Sequence, residues 1–449
     1  MINRYFEVEI ENGENILLIT EFGKWTMLSK EEYREFLRKG ENSDKKIIEK
    51  LKNAFIILDE SNIKPFIKYL NIRYGYLTIP TINVQINPTY KCNLSCIYCH
   101  ASSKTKGDVL EEDKAKEIIR FINNIPKPNI YVEFQGGEPL LVFDKIQYIV
   151  EKLEKSNEKI KGFTLVTNLT LIDEDIAKFL EKHRFSVMGS LDVNEEIHNL
   201  QRPFPNGSKS YSYAYNGFLT LLEKNIKFDV RSTITKICIE KYGFLELSQE
   251  LIKNAKKHGL HKINYMPVTP QGKATENTEI LLNSEEMFEV VKSCSIKAVK
   301  ENVLDKFIFP YLCNIFSPMR KYSCLRDICG AGTSNITISP KGEIYPCDVI
   351  KRIPEWKIGE IQNGKATYNK EKLAKWISIS TKSNPLCGYC EWQGLCNICK
   401  SCNYQEFGRL TAYHFLSESC KFHKKLYKFL FENIDVFRQY YNKFLKTYS

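Results

Sequence analysis

Two rhythms of apolar and polar residues divide this chain. In the first, ENILLITEFGKWTMLS (14–29) reads as two strands about a turn at Gly23. SKEEYREFLRKG follows, with Ser29 as a helix N-cap and Glu32 three residues on, the spacing of a capping box. DKKIIEKLKNAFII continues as a second helix. The pattern predicts a small α+β module over 1–76, in the order strand, strand, helix, helix, with a linker over 73–82.

From residue 83 short runs rich in Val, Ile and Phe alternate with helix-length amphipathic stretches. Strands are predicted at 83–89, 130–135, 163–168, 185–192, 227–235 and 262–268. Helices are predicted near 111–124, 142–155, 173–183, 212–224 and 244–257. Six β/α repeats imply parallel strands with right-handed crossovers, as an open sheet or an incomplete barrel. Chemistry then belongs at the C-terminal strand ends. After about residue 303 the rhythm is lost. KGEIYP (341–346) suggests a hairpin, and FHKKLYKFLFENIDVFRQYYNKFL (422–445) an amphipathic helix. The expected division is 1–76, 83–300, 301–425 and a helix over 426–449.

Composition alters this picture at one point. Hydrophobic content of 43% and charge of 27% are ordinary for a globular protein. No run of about 18 apolar residues predicts a membrane span, and MINRYFEVEI has no signal-peptide pattern. The expectation is a cytoplasmic protein. The net charge of +11 is spread without a basic block, which argues against a nucleic-acid partner. The exception is cysteine. There are 15, and in a cytoplasmic chain clustered thiols bind metal more often than they form disulfides. Three fall at 92, 96 and 99, three stand apart (Cys238, Cys294, Cys313), and nine fall between 324 and 420.

KCNLSCIYCH (91–100) places three thiols on the loop after the first strand of the barrel rhythm. Structural zinc wants four closed ligands, and His100 is badly placed to share the same metal. Three thiolates can instead hold three irons of a 4Fe–4S cube, leaving the fourth iron open for another ligand.

With Tyr98, the set Cys92, Cys96 and Cys99 resembles the signature of the radical SAM superfamily. The resemblance implies that the open iron chelates S-adenosylmethionine, that an electron from the cluster yields a 5′-deoxyadenosyl radical, and that this radical removes a hydrogen atom from substrate. It makes the three cysteines the catalytic set. Other strand ends match too. GGEP (136–139) ends the second strand, where the family binds the methionyl amino group. Gly136 and Gly137 would permit close approach to a ligand, with Glu138 assisting. Asn168 in VTN, Ser190 and Asp192 in SLD, and Arg231 in VRSTIT resemble further cofactor contacts, with Arg231 suited to the methionyl carboxylate. Tyr98 joins this cofactor-binding set. SLDVNEEIHNLQRPFPNGS resembles a stretch common in peptide-modifying members, with Val193 where a glycine is usual. His198 in that stretch is read as a base, a substrate contact or a surface buttress.

The second cysteine field resembles the SPASM extension. Cys329, Gly342 and Cys347 are followed by Cys387, Cys390, Cys396, Cys399 and Cys420. One departure is that Cys399 comes two residues after Cys396 rather than three, and the consensus position holds Lys400. The resemblance implies two auxiliary 4Fe–4S clusters. Cys324, Cys329, Cys347 and either Cys399 or Cys402, with Cys399 favoured, would hold the first. Cys387, Cys390, Cys396 and Cys420 would hold the second. Cys238, Cys294 and Cys313 are left as buried small hydrophobes.

The implied enzyme modifies a ribosomally synthesised precursor peptide bearing a leader, forming a crosslink, with a thioether as one option. Its electron donor would be a flavodoxin or ferredoxin. The N-terminal module resembles leader-binding elements that take up peptide by strand addition. Two alternatives stand beside this: an anaerobic sulfatase-maturing enzyme that makes formylglycine, and a non-catalytic iron–sulfur or zinc scaffold.

Overall fold

The computed structural model describes residues 1–10, 13–74, 80–101, 107–224, 226–257, 262–303, 315–316, 329–380, 383–396, 399–411, 417–439 and 442. The chain opens with an antiparallel sheet of β1 (Tyr5–Ile10), β2 (Asn15–Thr20) and β3 (Trp25–Ser29). This is one strand more than the pattern predicts. In β1, Glu7 and Glu9 are exposed on alternate positions, so the strand carries little apolar signal. It pairs with β2 from Tyr5↔Thr20 to Ile10↔Asn15.

The apolar run of β2 is buried on both faces. Ile16 and Leu18 pack with Tyr33, Phe36, Ile47 and Leu51 of the helices α1 (Lys30–Lys39) and α2 (Lys45–Asn53). Leu17 and Ile19 join the main core. The predicted capping box forms: Ser29 Oγ accepts from Glu32 N at 3.1 Å, and Glu32 Oε2 accepts from Ser29 N at 2.9 Å. A third helix, α3 (Ile63–Tyr74), was not expected. Most of the predicted linker, 75–79, lies outside the described residues.

Six parallel strands follow in sheet order: β4 (Thr81–Thr89), β5 (Asn129–Gly136), β6 (Ile160–Thr167), β7 (Ser186–Ser190), β8 (Lys227–Ile234) and β9 (Lys262–Pro267). Between them run α4 (Glu112–Asn123), α5 (Phe143–Ser156), α6 (Glu174–Lys182), α7 (Glu195–Gln201), α8 (Tyr211–Leu222) and α9 (Lys236–Lys257). The short α7 was not expected. The last helix starts at Lys236 and bends at Gly243, whose φ is 60°, and the prediction from 244 saw only the part beyond the bend. The sheet stays open, as a partial (β/α)6 barrel.

Past residue 300, α10 (Ser284–Lys300) gives way to the expected hairpin, β10 (Asn335–Ile338) and β11 (Glu343–Tyr345), then β12 (Gly359–Gln362) and β13 (Lys365–Tyr368). These strands do not form a separate sheet. Strand β10 pairs in parallel with β4, from Asn335↔Asn83 to Ile338↔Ile86, and the sheet becomes ten-stranded. An open barrel leaves the β4 edge with unpaired backbone groups, and β10 supplies their partners. The helices α11 (Lys370–Ile377), α12 (Lys400–Phe407) and α13 (Glu418–Glu432) complete the order. Helix α13 begins earlier than predicted, buries Leu426, Tyr427, Leu430 and Phe431, and residues 434–439 are also helical.

The two faces of the barrel sheet differ. Val84, Ile86, Val132 and Phe134 are fully buried in the main core. The alternate positions carry a polar network. Asn83 Nδ2 donates to Glu133 Oε2 (3.2 Å) and Asn335 Oδ1 (3.0 Å), Gln85 Nε2 donates to Glu133 Oε1 (3.0 Å), and Thr337 Oγ1 donates to Gln85 Oε1 (2.7 Å). Parallel strands covered by helices on both faces are apolar throughout. Among the described residues no helix is long and apolar enough to cross a membrane.

Candidate active site

The three-cysteine loop leaves the C-terminal end of β4 and is gripped from three sides. Ser95 N donates to Pro203 O (2.7 Å), Ile97 N to Gln201 O (3.0 Å), and Lys273 N to Cys99 O (3.1 Å). At the end of β6, Asn168 Nδ2 donates to Asn93 Oδ1 (2.8 Å) and faces Cys92 Sγ at 3.8 Å. The side chain of Asn168 is thus committed to the loop itself.

The GGEP turn follows β5 and presses on the same loop. Gly137 N donates to Thr89 O (2.9 Å) and Glu138 N to Lys91 O (2.8 Å). A Cβ on Gly137 would lie 1.9 Å from Lys91 O. On Gly136, whose φ is 136°, it would lie 2.5 Å from Thr89 O. Close approach was the expected reason for these glycines, but the partner in contact is the chain's own strand end.

Glu138 is buried, and its carboxylate accepts from Thr167 Oγ1 (2.8 Å), Asn168 N (2.8 Å) and Leu140 N (3.1 Å). Burial pushes it up to about 7, against three hydrogen bonds that favour the ionised form. It ties β6 to the turn.

Asp192 is equally committed. Its oxygens accept from Arg202 Nε (2.9 Å) and Nη2 (3.2 Å), Gln201 Nε2 (2.9 Å), Thr233 N (3.0 Å) and Tyr98 Oη (3.2 Å). Burial would raise this carboxyl, but Arg202 holds it below its ordinary value. The guanidinium also lies 5.2 Å over the Tyr98 ring. Tyr98 and Asp192 therefore anchor the cysteine loop through Arg202, a residue quoted in the sequence only as part of a longer resemblance. His198 is fully buried, not at the surface. Its Nδ1 accepts from Asp192 N at 3.3 Å, and its ring meets Tyr211 edge-on at 5.5 Å. Burial pushes it down to about 4, so it is a neutral buttress at pH 7.

Ser190, the last residue of β7, pairs in register with Arg231 on β8. Burial raises Glu133, opposed first by its hydrogen bonds from Asn83 and Gln85 and then by the charge of Arg231.

Burial pushes the Cys92 thiol up to about 12, with Glu138 and the other two cysteines adding to it. Burial does the same for Cys96, with Arg202 opposing and Cys99 adding. Two thiols raised by burial, which ionise only against a strong positive charge, with Cys99 beside them on the same loop, suit an iron cluster. Among the described residues no three His, Cys, Asp or Glu side chains converge on one metal ion, whereas a cube of irons takes thiolates at separate corners.

The later cysteines form two groups. Cys347 is raised by burial, and Cys399 and Cys329 add to it. Cys399 is raised well above its ordinary value by its hydrogen bond with Cys402. Cys402 Sγ also accepts from Gln271 Nε2 at 2.6 Å. Lys400 is buried, donates to Trp376 O at 2.5 Å, and is lowered by burial while Cys329, Cys347 and Cys399 oppose. In the second group, burial would lower Lys424, but the nearby Cys390, Glu391, Cys420 and Cys387 outweigh it and hold the ammonium above its ordinary value, and Cys390 and Cys396 pack on the main core. Cys324 and Cys313 lie outside the described residues, while Cys238 and Cys294 are buried.

Residues 86–278 match the family model of the radical SAM superfamily. The chain belongs to the radical SAM superfamily. It is a radical SAM enzyme, and membership implies a 4Fe–4S cluster and S-adenosylmethionine. A cysteine-type anaerobic sulfatase-maturating enzyme of Clostridium perfringens (strain ATCC 13124) is 26% identical over 383 residues, spanning 79% of this chain and 98% of the relative. The structure described as native anSMEcpe with bound AdoMet and Cp18Cys peptide has a TM-score of 0.67 at 23% identity, covering 80% of this chain and 99% of that one. Streptococcus suis SuiB bound to precursor peptide SuiA has a TM-score of 0.51 at 17% identity, covering 89% and 96%. At these identities the two structures speak for the fold alone.

Proposed function

We propose that this radical SAM enzyme modifies a ribosomally made peptide by forming a crosslink, with a thioether from cysteine sulfur to carbon as the first candidate bond. The observation that carries this reading is the N-terminal sheet. It lies outside the family match at 86–278 and is fastened to the cysteine-rich region. Arg73 Nη2 donates to Gly394 O (2.6 Å), Trp25 Nε1 donates to Ile315 O (2.9 Å), and Trp25 meets Phe431 edge-on at 5.0 Å. Its order, β1-β2-β3, has edges to which a leader peptide can add a strand. SuiB, a fold neighbour, holds a precursor peptide.

Cys92, Cys96 and Cys99 would hold the first cluster. Cys324, Cys329, Cys347 and Cys399 would hold one auxiliary cluster, and Cys387, Cys390, Cys396 and Cys420 the other. With S-adenosylmethionine bound, the first supplies a 5′-deoxyadenosyl radical for hydrogen abstraction. Arg231 would receive the methionyl carboxylate, Ser190 would stand beside it, and the GGEP backbone would face the amino group. A flavodoxin or ferredoxin would deliver the electron.

Formylglycine formation on a sulfatase is the second reading, favoured by the match across 98% of the sulfatase-maturating relative. The experiment is anaerobic incubation with S-adenosylmethionine, reductant and two peptides: a sulfatase-type cysteine peptide and a leader-bearing, cysteine-containing precursor. A crosslink removes two hydrogen atoms and keeps sulfur. Formylglycine replaces the thiol by an aldehyde oxygen and releases hydrogen sulfide. Loss of two hydrogens from the precursor supports the first reading; an aldehyde on the sulfatase-type peptide assigns the second.

A further inference from the structure

Lys351 is 2% exposed, four residues beyond Cys347. Its Nζ donates to Asp348 Oδ1 (2.6 Å), Asn87 Oδ1 (2.9 Å) and Gly136 O (3.4 Å), so each ammonium proton has an acceptor. Asn87 lies near the end of β4, and Gly136 opens the GGEP turn. On the other side Asp348 Oδ2 meets His100 Nε2 at 2.9 Å, one residue beyond Cys99. Arg352 Nη1 donates to Ala101 O at 3.2 Å. Both cations lie over the Tyr90 ring, at 5.9 and 5.2 Å.

One short segment of the cysteine-rich region therefore holds the end of β4, the GGEP turn and the far end of the three-cysteine loop. Burying an ammonium is costly unless it is paired. Here Asp348 supplies the pair, with Lys351 Nζ 2.6 Å from Oδ1 and His100 Nε2 2.9 Å from Oδ2. The pair is locally neutral, so it can orient the Gly136 carbonyl without repelling a cationic ligand.

We propose that Lys351 is a positioning residue for S-adenosylmethionine, fixing the Gly136 carbonyl and the Asn87 carboxamide from the auxiliary-cysteine side. This rests on the reading of the GGEP turn as the cofactor's seat. Groups that orient a metal's direct ligands change affinity or activity by about 10–100-fold when removed, and the same scale is expected for a group that orients a cofactor's seat.

The test uses the full chain, reconstituted anaerobically with iron and sulfide. Wild type, Lys351→Met, Lys351→Arg and Lys351→Met/Asp348→Asn are compared by equilibrium dialysis with S-adenosylmethionine. The change in the electron paramagnetic resonance spectrum of the reduced cluster on adding it is the second readout. The expected result is about tenfold or greater loss of affinity in Lys351→Met, a diminished spectral change, and partial recovery in Lys351→Arg. The double variant removes both charges, so the same loss there separates positioning from electrostatics, and it carries the test if the single variant fails to fold. A double variant with wild-type iron content and affinity overturns the proposal. A wild-type enzyme with full iron that binds no S-adenosylmethionine overturns the underlying reading as well.

Discussion

The buried pair Asp192–Arg202 gives the sharpest stability prediction. The Asp192 side chain is fully buried and Arg202 is 7% exposed, with Oδ2 and Nε 2.9 Å apart. Asp192→Asn leaves a buried guanidinium without its counter-charge, and Arg202→Met leaves a buried carboxylate with only neutral donors. Removing one member of such a pair costs about 3–5 kcal/mol, whereas removing both charges costs much less. Unfolding entropy of about 2.1 cal/mol/K per residue gives about 0.9 kcal/mol per kelvin for this chain. Each single variant should then lower the melting temperature by about 3–5 °C. The double variant should fall well short of the sum, a coupling a double-mutant cycle reads directly. Scanning calorimetry of the anaerobic apoprotein measures all four. Strictly additive shifts would refute the pairing as what holds Tyr98 and the cysteine loop.

Other outcomes follow from the same geometry. A Cβ on Gly394 would sit 2.3 Å from Thr20 O, where ordinary contact begins at 3.4 Å. Gly394→Ala must therefore part the N-terminal sheet from the Cys390–Cys396 loop by about 1 Å, at about 1–3 kcal/mol. Iron should fall by one cluster while S-adenosylmethionine binding is kept; full iron and an unchanged melting temperature would show the contact is dispensable. Cys399→Ala should lose one cluster's iron and Cys402→Ala should not, because Cys399 acts on Cys347 along with Cys329, whereas Cys402, although hydrogen-bonded to Cys399, already accepts from Gln271. Iron analysis giving the reverse would exchange their roles. His198, ordinarily near 6.5, is pushed down to about 4 by burial. The native state then takes up its proton less readily than the unfolded chain. The stability it confers is complete above pH 6.5 and lost as pH falls toward 4, by about 3 kcal/mol in all. His198→Asn should flatten the melting temperature against pH over that window; an unchanged slope would place the titration elsewhere.

Deletion of residues 1–76 has a different meaning once these contacts are known. From sequence it separates a leader-dependent enzyme from a sulfatase maturase by loss of peptide affinity alone. In the structure Leu17 and Ile19 of the same module lie in the main core, and Gly23 abuts Gly394. Deletion therefore strips core packing and the support of a cysteine loop together. Point variants on the β1 or β3 edge are the cleaner probe of peptide binding.

What the sequence determined alone is whatever rests on neighbours along the chain. The cysteine spacing 92–96–99, the capping box at Ser29 and Glu32, and the alternation of strand and helix from 83 to 268 are set within one or two turns of chain. They were enough to set the three cysteines on the loop that follows β4. The tertiary structure decided what depends on distant segments meeting. Strand β1 hides because its exposed positions are acidic, and β10 joins β4 because an open barrel has an edge to satisfy. Gly136 and Gly137 signal a close approach in sequence, and only the packed fold shows that the Thr89 and Lys91 carbonyl oxygens are among the atoms approached. Lys351 reads as one of many surface lysines, since only its pairing with Asp348, Asn87 and Gly136, all but the first more than 200 residues away in sequence, makes its burial affordable. Local patterns record the periodicity of a face; which charge meets which across the fold is recorded only where the elements pack.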